Sequence, residues 1–246
     1  VTTPERFARL WLGSMPGLIS GQSPDRNIFY SSYLSTYVER DVRELSGSVD
    51  ALKFNRFVTA VAARCSQLLN YKALADDADI DMPTAKNWVN ILETLGIIFL
   101  LHPYSNNVLK RTIKTPKVYF YDTGLVCYLT RWSSPEVAES GAMSGALLEN
   151  FTVSEIMKSY QNAGLEPYLY FYRDRDAKEI DVILEGDGKL CPLEIKKTAT
   201  PDKRLTRVFS VMDRSPLQLG TGAVLCMAEQ FGAFDRDNLI VPIWMI

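Results

Sequence analysis

EIDVILEGDGKLCPLEIK, Glu179 to Lys196, reads as a β-hairpin. Asp187-Gly188 supplies a two-residue turn, because a type I′ turn needs positive φ at both central positions and this dipeptide tolerates it. Residues equidistant from the turn then pair, which sets Asp181 opposite Glu194. Side chains alternate along a strand, so Lys196 emerges on the face of Glu194, while Ile180, Val182, Leu184, Leu193 and Ile195 take the other. Directly opposed side chains stand ~5 Å apart. One face therefore gathers two carboxylates and an ammonium, and the other is apolar enough to meet a core.

Two carboxylates at that separation repel one another unless a cation lies between them. Mg²⁺, or Mn²⁺ in its place, suits hard carboxylate oxygens, commonly takes one or two of them, and completes its shell with water and substrate phosphate. Lys196 beside such an ion would orient or deprotonate a water, or stabilise charge building on a phosphate. The plainer alternative is that Lys196 neutralises a pair of solvated strand carboxylates, since a motif this short recurs by chance.

The upstream sequence adds context. Gly145 to Tyr160, GALLENFTVSEIMKSY, has Leu148, Phe151, Thr152, Ile156 and Tyr160 close to helical spacing, with Glu149 in the first turn. A helix bearing a glutamate, a strand ending FYRDRD, and a hairpin with D and ExK follow the order of the PD-(D/E)XK nuclease-like core, which this part of the chain resembles. That resemblance implies a restriction-endonuclease-like α/β sandwich over residues 145–246 and a Mg²⁺-dependent phosphodiesterase. In it Glu149, Asp181, Glu194 and Lys196 form the catalytic set, with Asp181 and Glu194 as metal ligands. Glu155 is the alternative to Glu149 as the helix carboxylate nearest the metal. Pro201 to Met212 is read as the next helix and Gly222 to Glu229 as a further core strand. Arg204 and Arg207, three apart, are either phosphate contacts or a solvated pair.

A second constellation spans 51–118. Phe54, Phe57, Val58, Val61 and Ala62 predict a helix. NYKALADDADI follows with Asn70 as N-cap, then DMPTAKNWVNILETLGI, with Pro83 near its first position and Gly96 as its stop. Ala85, Val89, Leu92 and Leu95 would face a core, leaving Thr84, Lys86, Asn87 and Asn90 outward, side chains of the kind that reach base edges or phosphates. The strand IIFLLHPY, the turn SNNVLKR and the returning KVYFYD complete a winged helix-turn-helix, its wing made basic by Lys110, Arg111, Lys114 and Lys117. Asp76, Asp77, Asp79 and Asp81 crowd the preceding helix and would repel a duplex, and winged helices also serve as protein-interaction modules.

Composition bounds these readings. Of 246 residues, 47% are hydrophobic and 23% charged, ordinary for a chain with a sizeable core. The formal net charge of -2 leaves no global basic field, so nucleic-acid contact must come from local patches. The four cysteines show no metal-ligand spacing, pointing to a reducing cytoplasm. The single histidine, His102, has no nucleophile partner, which sets aside triad hydrolysis. No apolar run reaches the ~20 residues of a membrane span, and no GxxxxGK[ST] loop is present to bind a nucleotide. The first residue is Val1 rather than Met, read as the mark of a fragment.

Residues 1–50 read as a helical N-terminal segment, with Leu34, Val42 and Leu45 at helical intervals in an amphipathic helix over Tyr30 to Leu45. TYVERDVREL, LLNYKALA, TAKNWVNILETLGIIFLLHPY, KVYFYDTGL, GALLENFTVSEIMKSY and PLEIKK together resemble the DUF4143 domain of unknown function, which follows an AAA-type ATPase domain in many prokaryotic proteins. The resemblance implies an ATPase domain preceding this chain as its partner. The segment 119–144 is then a connector, and the overall class is mixed α+β. Two functions follow as expectations: a Mg²⁺-dependent nuclease module joined to a DNA-binding winged helix, or a catalytically inactive DNA- or protein-interaction module regulating the ATPase. Homo-oligomerisation stays open.

Overall fold

A computed structural model describes residues 2–21, 25–47, 50–105 and 113–246, apart from the side chains of residues 37–39, 43 and 46. The chain is mixed α/β and divides into two compact units, Pro4–Leu100 with Val118–Met143, and Val1–Thr3 and Leu101–Lys117 with Ser144–Ile246.

The first unit opens with α1 (Thr3–Leu12), α2 (Pro16–Ile19), α3 (Arg26–Ser32), a π-helical stretch (Tyr33–Val38) and α4 (Glu39–Ser46). The region expected as one regular amphipathic helix is helical, but the wider π winding shifts its phase. Leu34 and Val42 are buried, whereas Leu45 is exposed. Asp122, at the start of α8 (Thr123–Leu129), ties these helices down. Its carboxylate accepts from the Ser14 N–H at 2.6 Å, the Tyr30 hydroxyl at 2.7 Å and the Leu125 N–H at 2.7 Å. Arg26 stacks on Trp11, 4.1 Å from the ring centroid, and donates to the carbonyls of Trp11 and Gly124.

Within the same unit, α5 (Ala51–Ala62), β1 (Gln67–Leu68), α6 (Tyr71–Ala78), α7 (Met82–Thr94), β2 (Ile98–Leu101) and β3 (Lys117–Phe120) follow, with α9 (Pro135–Ser140) after α8. The strands order β1-β3-β2. The caps are local sequence chemistry: the Asn70 side chain accepts the Ala73 N–H, Asp81 accepts that of Thr84, and Gly96 takes a positive φ of 66° to end α7. Phe54 and Phe57 of α5 meet Trp88 of α7 edge-on, each 5.3 Å between centroids.

The second unit contains α10 (Ser144–Asn162), β4 (Leu169–Arg173), β5 (Glu179–Gly186), β6 (Lys189–Lys196), a 3₁₀ segment (Lys203–Arg214), β7 (Gln218–Leu219), β8 (Gly222–Cys226), β9 (Gly232–Ala233) and β10 (Asn238–Pro242). Its sheet runs β4-β5-β6-β8-β10-β9, with β7 beside β6. β4, β5 and β6 are antiparallel neighbours, whereas β6–β8 and β8–β10 are parallel. Residues after β2 that read as the approach to a wing instead join this sheet. Pro103 bridges Phe171, the Tyr104 N–H donates to the Phe171 carbonyl at 2.6 Å, and the Tyr104 ring packs with Tyr172, Ile180, Phe209 and Met212.

The hairpin register is as the turn requires, with Gly186 opposite Lys189 and Val182 opposite Leu193. Asp187 and Gly188 both have positive φ, 50° and 72°. Strict alternation fails at one point. Tyr170 pairs with Ile183 but Tyr172 pairs with Ile180, so Asp181 and Val182 stand against Phe171 alone. This β-bulge bends β5 and turns Ile180 into the same core cluster as Ile183, away from the partition that assigned it to the face of Val182 and Leu184.

Candidate active site

The bulge falls at the residue expected to bind a cation. Asp181, only 6% exposed, turns its carboxylate across the hairpin, where Oδ2 accepts the Ile195 N–H at 2.8 Å. Glu194, 8% exposed, pairs in the sheet with Val224 of β8. Lys196 sits between the two carboxylates, its Nζ 2.6 Å from Glu194 Oε1 and 3.4 Å from Asp181 Oδ2. The meeting of these three side chains is the one that the hairpin register led the sequence to expect.

Electrostatics there is unbalanced. Glu194 Oε2 is buried without a hydrogen-bond partner. Burial first, and then the negative charge of Asp181, push the Glu194 carboxyl up to about 7, and Lys196 only partly opposes them. For Lys196, burial acts to lower the pKa, but Asp181 and Glu194 outweigh it and hold the ammonium above its ordinary value. Lys196 is therefore a cation suited to stabilising developing negative charge, and a poor proton acceptor in this arrangement. Among the described residues no group of three or more His, Cys, Asp or Glu side chains converges on one point. The Asp181–Glu194 pair with its orphaned Oε2 nonetheless fits a hard divalent cation, which needs no more than one or two protein carboxylates.

Glu149 lies in the second turn of α10 and is engaged by a lysine. Lys117, 3% exposed, places its Nζ 2.9 Å from Glu149 and 2.6 Å from Glu179, over the Phe171 ring. Burial acts to lower its pKa, but Glu149, Asp181 and Glu179 more than offset this and raise it. Lys117 is thus a buried counter-ion, unavailable to a wing, because an ammonium enters a core only with paired carboxylates. Glu155, the alternative helix carboxylate, pairs with Lys158 on its own helix. Glu179 escaped sequence reasoning. The available signal was a charge at the head of each of two largely apolar strands, Lys117 before VYF and Glu179 before IDVIL.

In the first unit, Lys86, Asn87 and Asn90 are exposed along α7 and Thr84 half-exposed, while Ala85, Trp88, Val89, Ile91 and Leu92 are buried. Lys86 lies over the Tyr71 ring at 5.6 Å. Two of the crowding aspartates are neutralised from α5 and its C-terminal end, Asp79 by Lys53 at 2.9 Å and Asp77 by Arg64 at 2.6 Å. Lys114 is exposed. Lys110 and Arg111 lie outside the described residues.

Comparison with known proteins agrees with a two-part chain. Residues 4–136 match a domain of unknown function, DUF8612, and residues 144–246 match another, DUF4143. The strings before Gly145 that resembled DUF4143 therefore fall almost wholly within the DUF8612 match. The uncharacterized protein Rv2008c of Mycobacterium tuberculosis and the uncharacterized protein Mb2031c of Mycobacterium bovis are each 29% identical to this chain over 238 residues. The match covers 96% of the chain and 52% of each relative, so the chain spans about half the length of the curated relatives it matches. No solved structure matches. The first half of the chain belongs to the DUF8612 family, and its C-terminal part is a member of the DUF4143 family.

Proposed function

We propose that the C-terminal unit is a metal-dependent phosphodiesterase module of the PD-(D/E)XK type, acting on nucleic acid. One observation carries this reading: Asp181, Glu194 and Lys196 meet at a β-bulge with a buried carboxylate oxygen left without a partner. An unsatisfied buried carboxylate costs free energy that a bound cation would recover. Asp181 and Glu194 would hold Mg²⁺ or Mn²⁺, which supplies Lewis-acid polarisation of a phosphate and a more acidic water. The Ile195 N–H keeps Asp181 aimed across the hairpin, and Lys196 brings a positive charge to the oxygen that becomes more negative as the phosphodiester is attacked. Glu149 acts through Lys117, as a positioning carboxylate.

The first unit is, on this proposal, a winged helix that holds DNA. Support comes from the element order α5-β1-α6-α7-β2-β3, the sheet order β1-β3-β2, and the exposed Lys86, Asn87 and Asn90 on α7. An AAA-type ATPase domain in the parent protein is proposed from the family resemblance, and the greater length of the relatives leaves room for one. A second reading, a catalytically inactive interaction module, draws on Lys196, whose ammonium already bridges both carboxylates.

Calorimetric titration of Mn²⁺ and Mg²⁺ into the chain and into an Asp181→Asn, Glu194→Gln variant, followed by incubation of both with plasmid and single-stranded DNA, separates the two. The phosphodiesterase reading expects metal binding and cleavage that the variant loses. Metal binding unaffected by the substitutions, or cleavage that persists in the variant, would refute it.

A further inference from the structure

The two arginines that read alike in the sequence have different surroundings in the fold. Arg204 folds back on its helix cap, 2.9 Å from Asp202. Arg207 instead lines a cleft of about 290 Å³ with Lys178, Arg214, Ser210, Val208 and Val211. Its lining contains three cations and no carboxylate, in a chain whose net charge is -2. All three cations are exposed, and none is ion-paired among the described residues. Val208 and Val211 are packed against the core cluster of Ile180, Phe209 and Met212, which gives the cleft an apolar floor fixed to the sheet.

The cleft also shares a sheet face with the carboxylates. Glu194 pairs with Val224, paired residues point to the same side, and Val224 packs beside Leu205 of the same 3₁₀ segment that carries Arg207 and Arg214. Lys178 immediately precedes β5 and lies three residues before Asp181, a chain length that spans at most ~10 Å.

We infer that this cleft is a docking site for the phosphates of a nucleic-acid strand, with Lys178, Arg207 and Arg214 holding the backbone beside the Asp181–Glu194 point. The inference rests on the phosphodiesterase reading for its choice of ligand. The three unpaired cations supply the attraction. The valine floor favours a strand, which brings sugar and base surface, over a bare anion.

The test is fluorescence anisotropy of a short fluorescein-labelled single-stranded oligonucleotide with the chain in EDTA, so that binding is read without metal or cleavage. Arg207→Ala with Arg214→Ala, and separately Lys178→Ala, are compared with Lys189→Ala, an exposed lysine of the same hairpin, with melting curves confirming that each variant is folded. The double variant is expected to bind about ten-fold or more weakly, with the slope of log affinity against log salt reduced by ~1 to 1.5, since each phosphate contact on a single strand contributes ~0.7. Lys189→Ala should change neither. Unchanged affinity and slope in the double variant would overturn the site, as would equal competition by inorganic phosphate at the same total phosphate concentration. Metal-dependent cleavage with unaltered binding in the arginine variant would remove the cleft and leave the phosphodiesterase standing. Arginine-dependent binding with no cleavage under any divalent cation would do the reverse.

Discussion

Replacing Lys117 by methionine removes the cation that Glu149 and Glu179 share, leaving Glu179 with Arg173 at 3.2 Å, while keeping most of the side-chain volume. The lysine is 3% exposed, and its two partners are 18% and 27% exposed, so the substitution leaves two carboxylates facing each other with restricted access to water. Breaking a buried ion pair from one side costs about 3–5 kcal/mol. The partial exposure of both glutamates lets them rehydrate, which sets the expectation near the lower end, about 3 kcal/mol, still a large share of the ~5–15 kcal/mol that holds a domain folded. Urea unfolding, combined with hydrogen exchange of the β5 and β6 amides, reads the loss in the unit concerned. Adding Glu149→Gln and Glu179→Gln removes the two charges that lost Lys117 and should recover most of that loss, because the penalty lies in those carboxylates. A Lys117→Met chain within 1 kcal/mol of native, or a triple variant no better than the single, would refute the counter-ion assignment.

Three further expectations follow from the same physics. Because Glu194 is raised from 4.5 to about 7 on folding, its contribution is fully present below pH 4.5 and is lost as pH rises through 7, about 3 kcal/mol in all; urea midpoints measured between pH 4.5 and 8 should show this slope, and Glu194→Gln should flatten it. Asp122→Ala removes the acceptor of the Ser14 and Leu125 N–H groups and leaves the Tyr30 hydroxyl only the Leu12 carbonyl at 3.0 Å, and should cost ~3 kcal/mol by chemical denaturation, against ~1 kcal/mol for loss of the exposed Asp25 cap. Asn70→Ala and Asp81→Ala each remove one N-cap bond and should lower stability by ~1 kcal/mol apiece, additively to within a few tenths, in equilibrium unfolding of the single and double variants.

What the sequence determined by itself was local. The Asp187-Gly188 turn set a hairpin register that carries through every ladder pair, since a two-residue loop leaves the strands no freedom to slip. Asn70, Asp81 and Gly96 bounded α6 and α7 through bonds and dihedrals spanning four residues or fewer. With the register came the meeting of Asp181, Glu194 and Lys196. Long-range packing decided the rest. Lys117 reads as a wing cation until Glu149 and Glu179, more than thirty residues away, surround it. Ile180 keeps its expected face only if β4 and β5 run without a bulge, and the bulge is visible only when both strands are paired. Arg204 and Arg207 look equivalent until the 3₁₀ segment docks and turns one toward its own cap and the other toward Lys178. A turn or a cap is an energy between neighbours in sequence, whereas burial and charge pairing depend on which distant segments the folded chain brings within a few ångströms.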